Sequence, residues 1–102
     1  LHDALPILSK IVLYHHERWD GKGYPKGLSG ITIPIGSRVI AVCDSIDAMT
    51  SDRLYRKAMG YDECINEIII NKGLMFDPVI VQYIIENMNT VRSFFEPKNT
   101  KF

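Results

Sequence analysis

The sequence predicts an all-α protein. Apolar residues recur every three or four positions through most of the chain, whereas the alternation typical of strands is scarce. A length of 102 residues, with 46% hydrophobic and 24% charged residues, suits one small globular domain rather than a disordered segment. We predict about four helices in a domain over residues 1–88, followed by a tail over residues 89–102 with little pattern.

The first helix is predicted over residues 7–17. Its apolar stripe reaches His15 one turn beyond the last aliphatic member, and His16 lies at the edge of the stripe. The helix would therefore aim two imidazoles inward at its carboxyl end. The aliphatic members of the stripe are Leu8, Ile11 and Val12.

A long loop is predicted over residues 20–34, because six Gly and Pro residues interrupt this stretch. Ile31 and Ile33 would attach the loop to the body of the domain as a short extended segment. The aromatic side chains of Trp19 and Tyr24 would either stack on a nucleotide base or anchor the loop to the core, which is the commoner role.

Two further helices are predicted over residues 37–50 and 61–72. On the first of them, Asp44 and Asp47 stand three positions apart and share a face that differs from the apolar stripe. Gly73 occupies the position typical of a residue just past a helix end. The two apolar stripes comprise Val39, Val42, Cys43, Ile46 and Met49, and then Ile65, Ile68 and Ile69.

The last helix is predicted to begin at Pro78. Asp77 is a favourable N-cap, and proline is favoured at the first helical position. This helix would run to about Met88 and pack through Val81, Ile84 and Ile85.

The composition excludes several classes of protein. Twelve basic and twelve acidic residues give a formal charge of zero, which provides no global attraction to nucleic acid or to an anionic membrane. No apolar run approaches the roughly 18 to 20 residues that a membrane span needs. The two cysteines, Cys43 and Cys64, lie in apolar helical patterns and are predicted to be reduced core thiols of a cytoplasmic protein.

The adjacent histidines His15 and His16 are the first candidates for chemistry. Such a pair at a helix end often lies at the surface, where the helix dipole favours it. Here His15 continues the apolar stripe, and a buried neutral imidazole needs a partner for each nitrogen. A metal ion is a common partner of that kind.

Asp44 is the next candidate, because its neighbours along the helix are apolar. A buried carboxylate needs a cation, so it would pair with Arg38, Arg53 or Arg56, or else bind a metal. Two histidines and an aspartate are ligand types that suit iron, manganese or zinc.

The basic segment that follows offers a further choice. It is either a solvated turn that pairs with Asp47 or Asp52, or a phosphate-binding element. Arg53 and Arg56 would then present guanidinium groups that match phosphate oxygens in bidentate fashion.

Several motifs together resemble the HD-GYP family, the metal-dependent phosphodiesterases of bacterial cyclic dinucleotide signalling. The segment over residues 15–25 reads HHERWDGKGYP and contains both the HHE and the GYP elements of that family. Three further segments resemble blocks of the family: residues 38–51, the Arg-Leu-Tyr-Arg run at 53–56 and the Phe-Asp-Pro run at 76–78. One departure is Leu54, which stands where proline is usual.

The resemblance implies functional roles for individual residues. His15, His16 and Asp44 would be ligands in a centre of two or three divalent ions, most often iron or manganese. Arg53 and Arg56 would contact substrate phosphate. We also place Asp47 at the substrate site, together with Tyr24, whose loop would shape that site and contact partner domains. No catalytic residue is assigned. The substrate would be cyclic di-GMP, opened to pGpG and cut on to GMP.

The family's earlier ligands have no counterpart in this chain. His2-Asp3 spells the HD dipeptide, but it lies only 13 residues before His15, whereas the family separates the two by roughly four times that span. With three histidines in all, the chain cannot complete a two-metal centre. It therefore resembles the carboxyl-terminal half of the catalytic domain, a partial HD-type bundle, and residues 1–6 would be non-native sequence.

Two kinds of function follow from this reading. In a parent protein the segment would serve a hydrolase, with the missing amino-terminal half and diguanylate cyclase or receiver-type domains as partners. The isolated fragment would be inactive. The alternatives are a non-catalytic module that binds a cyclic dinucleotide or a protein, and a truncated gene product.

Overall fold

The computed structural model describes residues 4–95 and confirms the all-α class. Over this range no β-strand forms, and extended pairing is limited to two isolated bridges. A short 3-10 helix covers Gly30–Thr32. The five α-helices are α1 (Ala4–Leu13), α2 (Ile35–Thr50), α3 (Tyr61–Ile70), α4 (Pro78–Glu86) and α5 (Met88–Phe95).

A fifth helix is present in addition to the about four that were predicted, and it covers the first part of the segment described as a tail. Helix α5 is short, but Met88, Val91 and Phe95 recur at helical spacing and pack against the core. Four of the eight residues are apolar, but a segment of eight residues is too short for periodicity alone to separate a helix from a tail. Residues 96–102 of the predicted tail lie outside the described residues.

The core lies between α2, α3 and α4. The helices α3 and α4 begin where predicted, whereas α2 begins two residues earlier than predicted and α3 ends two residues earlier. Of the predicted stripes, Val39, Cys43 and Ile69 are exposed, so their assignment to the core is wrong. The buried residues are Val42, Ile46, Tyr61, Cys64, Ile65, Ile68, Phe76, Val81 and Ile84.

The buried cysteine is protected from ionisation. Burial raises the pKa of the Cys64 thiol, and the negative charge of Glu67 raises it further. The neutral thiol therefore behaves as a small apolar core group, as predicted for this position.

Helix α1 ends four residues earlier than the predicted boundary. In a continuing helix the Ile11 carbonyl would accept the N–H of His15. Instead it accepts the hydroxyl of Ser37 at 2.7 Å, and the His15 N–H turns to the Val12 carbonyl at 3.4 Å. His15 and His16 consequently lie in a turn after the helix and not on its apolar stripe.

A buried ion pair joins the starts of α2 and α4. The Arg38 guanidinium lies 2.7 Å from the Asp77 carboxylate, and its Nε donates to the Ile33 carbonyl at 2.9 Å. Asp77 also accepts the N–H of Val79 at 2.8 Å, which confirms the predicted N-cap. These contacts fix the end of the loop to the starts of α2 and α4.

One face of α1 is apolar and exposed, and no residue of this helix is fully buried. Leu5, Leu8 and Val12 are each more than half exposed. We expect the 102-residue chain to self-associate through this face, because contiguous exposed apolar patches favour association. No helix within residues 4–95 is long and apolar enough to cross a membrane.

Light scattering after size exclusion tests this expectation. Leu8→Glu should shift the chain towards monomer, whereas Val79→Glu, at an exposed position of α4, should not. A monodisperse monomer with a sharp cooperative melt would contradict it.

Candidate metal and phosphate site

A cavity of about 80 Å³ lies where the turn after α1, helix α2 and the segment before α4 meet. The three predicted metal ligands all line it. Its volume is sufficient for an ion with a few water molecules, since a water molecule takes about 30 Å³ in the liquid. The lining residues are His15, His16, Glu17, Arg18, Ala41, Asp44, Ser45, Met75 and Phe76.

The hydrogen bond of His15 suits a metal ligand. Its Nδ1 donates to the Val12 carbonyl, so that Nε2 carries the free lone pair. Metal-binding histidines commonly donate their other ring nitrogen to a carbonyl or carboxylate in this way. His15 is only half-buried, so the predicted inward burial of the imidazoles is wrong.

His16 lies between two other rings. Its ring centroid is 3.9 Å from that of His15, and the Tyr24 ring stacks on it at 4.9 Å with an interplanar angle of 19°. Tyr24 is itself exposed, so it does not anchor the loop to the core, and stacking on a nucleotide base stays a prediction. Its ring instead restricts the orientation of His16, a candidate metal ligand.

Asp44 is exposed at the cavity side of α2, which corrects the prediction of a buried carboxylate. The alternative of a buried salt bridge is also wrong. Arg38 pairs with Asp77, and an Nη of Arg56 donates to the Ala48 carbonyl at 2.9 Å. Within residues 4–95 no cation pairs with the Asp44 carboxylate, which leaves it available to a ligand.

The loop beside the cavity is held by Glu17, a residue to which the sequence assigned no role. Its side chain is buried, and its two oxygens accept the backbone N–H groups of Lys26, Gly27 and Leu28 at 3.2, 2.8 and 3.0 Å. A sequence signal for this role exists. Glu17 precedes a glycine-rich loop, and the backbone N–H groups of such a loop need acceptors that a carboxylate can supply.

Further contacts fix the start of the loop. A Cβ at Gly23 would lie 2.5 Å from both the Arg18 nitrogen and the His16 oxygen, so only glycine fits there. The Trp19 N–H donates to the Met75 carbonyl at 3.1 Å, which joins the loop to the segment before α4. The loop thus shares a backbone contact with the opposite wall of the cavity.

Arg18 and Asp20 form a bidentate pair at 3.1 and 2.8 Å. The Arg18 hydrogen bonds, together with the Lys22 N–H, lower the pKa of the Asp20 carboxyl below its usual range. The pair therefore stays charged at any pH above that lowered value, and Arg18 adds little free positive charge to the cavity.

The predicted extended segment of the loop is partly wrong. Ile33 is buried, but Ile31 is 82% exposed and belongs to the short 3-10 helix. Of these two isoleucines, only Ile33 attaches the loop to the body of the domain.

The two arginines after α2 face each other across a tight turn. The backbones of Arg53 and Arg56 are paired by hydrogen bonds of 2.7 and 3.3 Å. Within residues 4–95 the alternative of ion pairs with Asp47 or Asp52 is not observed: Asp52 accepts the Ala58 N–H, and Asp47 is exposed. Arg53 has no side-chain partner within residues 4–95, and Asp47 does not line the cavity.

The donor set fits a divalent metal ion in chemistry but is incomplete in number. Imidazole nitrogens and a carboxylate suit transition metals. Within the described residues, however, no three His, Cys, Asp or Glu side chains lie close enough together to hold an ion. A complete centre would need further ligands.

Comparison with known proteins assigns the family. A family model described as an HD domain matches residues 4–80. The chain belongs to the HD-domain family. This confirms the assignment made from the motifs, and phosphodiesterases of this family generally depend on metal ions.

The curated relatives compared below are named as cyclic di-GMP phosphodiesterases. A cyclic di-GMP phosphodiesterase of Thermotoga maritima is 43% identical over 84 residues, which are 79% of this chain and 23% of that protein. A probable cyclic di-GMP phosphodiesterase of Vibrio cholerae is 37% identical over 86 residues, covering 83% of this chain and 20% of that protein. The chain thus spans about a fifth of the length of these relatives.

A solved structure supports the fold. The crystal structure of a cyclic GMP-AMP specific phosphodiesterase of V. cholerae matches 90% of this chain with a TM-score of 0.75. The sequence identity is 21%, and the match covers 21% of that protein. The helical arrangement described above is therefore that of a segment of an HD-domain phosphodiesterase.

Proposed function

We propose that this chain serves the hydrolysis of a cyclic dinucleotide phosphodiester, with cyclic di-GMP as substrate, within a longer HD-domain protein. One observation carries the proposal: His15, His16 and Asp44, from two separate elements, line one cavity in a chain of this family. The names of the curated relatives supply the class of substrate.

The proposed roles follow from the donor atoms. His15 Nε2, His16 and the Asp44 carboxylate would hold divalent metal, which we propose to be two or three ions of iron or manganese in the whole domain. Metal ions supply charge stabilisation at phosphoryl oxygens and activate water as the nucleophile. The rest of the centre would come from protein beyond this chain.

The substrate would be positioned by four residues that do not themselves line the cavity. The free guanidinium of Arg53 would bind a phosphate oxygen, and Arg56 would reinforce it from beside the Ala48 carbonyl. Tyr24 would orient His16 and border the substrate, and Asp47 would lie at the outer edge of the site. The products would be pGpG and GMP. Cytoplasmic location and diguanylate cyclase or receiver-type partner domains stay predictions.

A non-catalytic module that binds cyclic dinucleotides is the second candidate. It is favoured by the absence, within residues 4–95, of three potential ligands close enough to hold a metal ion. The isolated chain would then keep the arginines and the loop surface but perform no chemistry.

A hybrid enzyme tests the first candidate. Residues 4–80 would replace the matching segment of the T. maritima relative, and hydrolysis of cyclic di-GMP would be measured with manganese or iron. We expect metal-dependent turnover in the hybrid and none in the isolated chain, because the remaining ligands come from the relative.

The unmodified relative is the positive control, and circular dichroism shows whether the hybrid folds. A folded hybrid that contains metal but hydrolyses no cyclic dinucleotide would contradict the proposal. Efficient hydrolysis by the isolated chain would show that the missing ligands are not needed.

A further inference from the structure

A second cavity of about 280 Å³ lies next to the candidate metal site, between α2, α3 and the segment before α4. The two cavities share three lining residues, Ser45, Met75 and Phe76. Its volume is close to the lower end of small-molecule sites, which begin at about 300 Å³. A ligand held at the first cavity could therefore extend into the second.

The polar groups of the second cavity offer mainly hydrogen-bond acceptors. The Ser45 hydroxyl donates its proton to the Ala41 carbonyl at 2.8 Å, and the Asn71 amide donates to the Glu67 carbonyl at 2.9 Å. The Ser45 Oγ is left as an acceptor, and the Asn71 amide keeps its Oδ1 acceptor and one further N–H donor. The Glu67 carboxylate is exposed and has no ion pair or hydrogen bond within residues 4–95.

The remaining walls are apolar, which suits the faces of a planar heterocycle. Ala48 and Met49 contribute from α2, and Met75 and Phe76 contribute from the opposite segment. Methionine and aromatic side chains make favourable contacts with flat rings. Arg56 binds the Ala48 carbonyl and so places a positive charge beside the same wall.

We propose that this second cavity is a guanine subsite and that Glu67 determines its specificity. The Watson–Crick edge of guanine carries N1–H and N2–H₂ donors, which a carboxylate accepts as a pair. Adenine presents an N1 acceptor at the same edge, which would face the carboxylate without a proton between them. A site built on acceptors therefore rejects adenine, because its polar groups would be left unpaired.

This inference rests on the proposed function, since the shared wall places the base beside the phosphodiester. It adds the cavity that would hold a guanine base of that substrate and the residue, Glu67, that would recognise it. A cyclic dinucleotide with one guanine, such as cyclic GMP-AMP, would bind in one orientation only.

Calorimetric titration of the 102-residue chain with GMP and with AMP tests the subsite. We expect GMP to bind about tenfold or more tightly than AMP, because hydrogen bonds to a charged acceptor discriminate strongly. Glu67→Gln should reduce this preference to about twofold, since an amide offers a donor as well as an acceptor. The matched control is Glu63→Gln, one turn earlier on α3, which removes the same charge outside the cavity and should keep the preference.

The outcomes separate this inference from the proposed function. Equal binding of GMP and AMP, or an unchanged preference in Glu67→Gln, would overturn the guanine subsite even if the hybrid enzyme is active. A guanine preference that Glu67→Gln abolishes would uphold the subsite even if the hybrid hydrolyses nothing. In the active hybrid, Glu67→Gln should also lower the ratio of cyclic di-GMP to cyclic di-AMP turnover.

Discussion

Asp44→Ala in the hybrid enzyme is expected to reduce turnover of cyclic di-GMP by more than about a hundredfold and to lower the metal content. Loss of groups that merely orient metal ligands costs about ten- to a hundredfold, so loss of a ligand should cost more. The Asp44 carboxylate is exposed and has no ion-pair partner within residues 4–95, so its removal should leave the fold intact. Metal analysis, turnover and thermal melting of the variant together check the expectation.

Two further variants test whether the loss of metal is specific to Asp44. Arg53→Ala should retain the metal and weaken substrate binding by about ten- to a hundredfold, the effect of losing one charge-assisted phosphate contact. Asp47→Ala removes a similar exposed carboxylate from α2 outside the cavity, so it should retain the metal as well. If Asp44→Ala keeps its full metal complement and near-normal turnover, the assignment of the metal site is wrong.

Features that depend on neighbouring residues were predictable from the sequence. The start of α4 follows from Asp77 and Pro78 alone, because an N-cap acts within one helical turn. The buried positions Ile65 and Ile68 on α3 follow from helical spacing. The gathering of His15, His16 and Asp44 around one cavity agrees with their predicted shared role, although that role itself stays untested.

Features that depend on distant residues were not predictable. The end of α1 is set by Ser37, which lies 26 positions beyond Ile11 and takes the carbonyl that would continue the helix. The partner of Arg38 is Asp77 on another helix, 39 positions away, so spacing along the chain gave no means to choose it over Asp44. Asp44 was wrongly expected to be buried because its neighbours along the chain are apolar, whereas helical spacing places it on a different face from the apolar stripe, and that face is exposed.

Glu17 holds the loop through three hydrogen bonds that the sequence analysis did not predict, and its removal should have a large effect on stability. In Glu17→Ala the N–H groups of Lys26, Gly27 and Leu28 lose a charged acceptor together. Because the loop backbone can partly turn to water, we expect a loss of about 2 to 4 kcal/mol in the free energy of unfolding. Urea unfolding followed by the fluorescence of Trp19, the single tryptophan, would measure it.

The conservative variant separates the hydrogen bonds from simple loss of volume. Glu17→Gln keeps an acceptor oxygen but replaces the other with a donor that meets a backbone N–H, so it should fall between Glu17→Ala and the unmodified chain. Glu63→Ala, at an exposed position, should change the free energy by less than about 0.5 kcal/mol. In Glu17→Ala, hydrogen exchange at the Gly27 and Leu28 amides should accelerate more than exchange in α3. The reason is that Glu17 bonds these loop amides directly, so the loop opens locally before the rest of the domain unfolds. The prediction is contradicted if Glu17→Ala unfolds at the same urea concentration as the unmodified chain and its loop amides stay protected. The loop would then be held by its glycines and by the Trp19 contact with Met75, and not by Glu17.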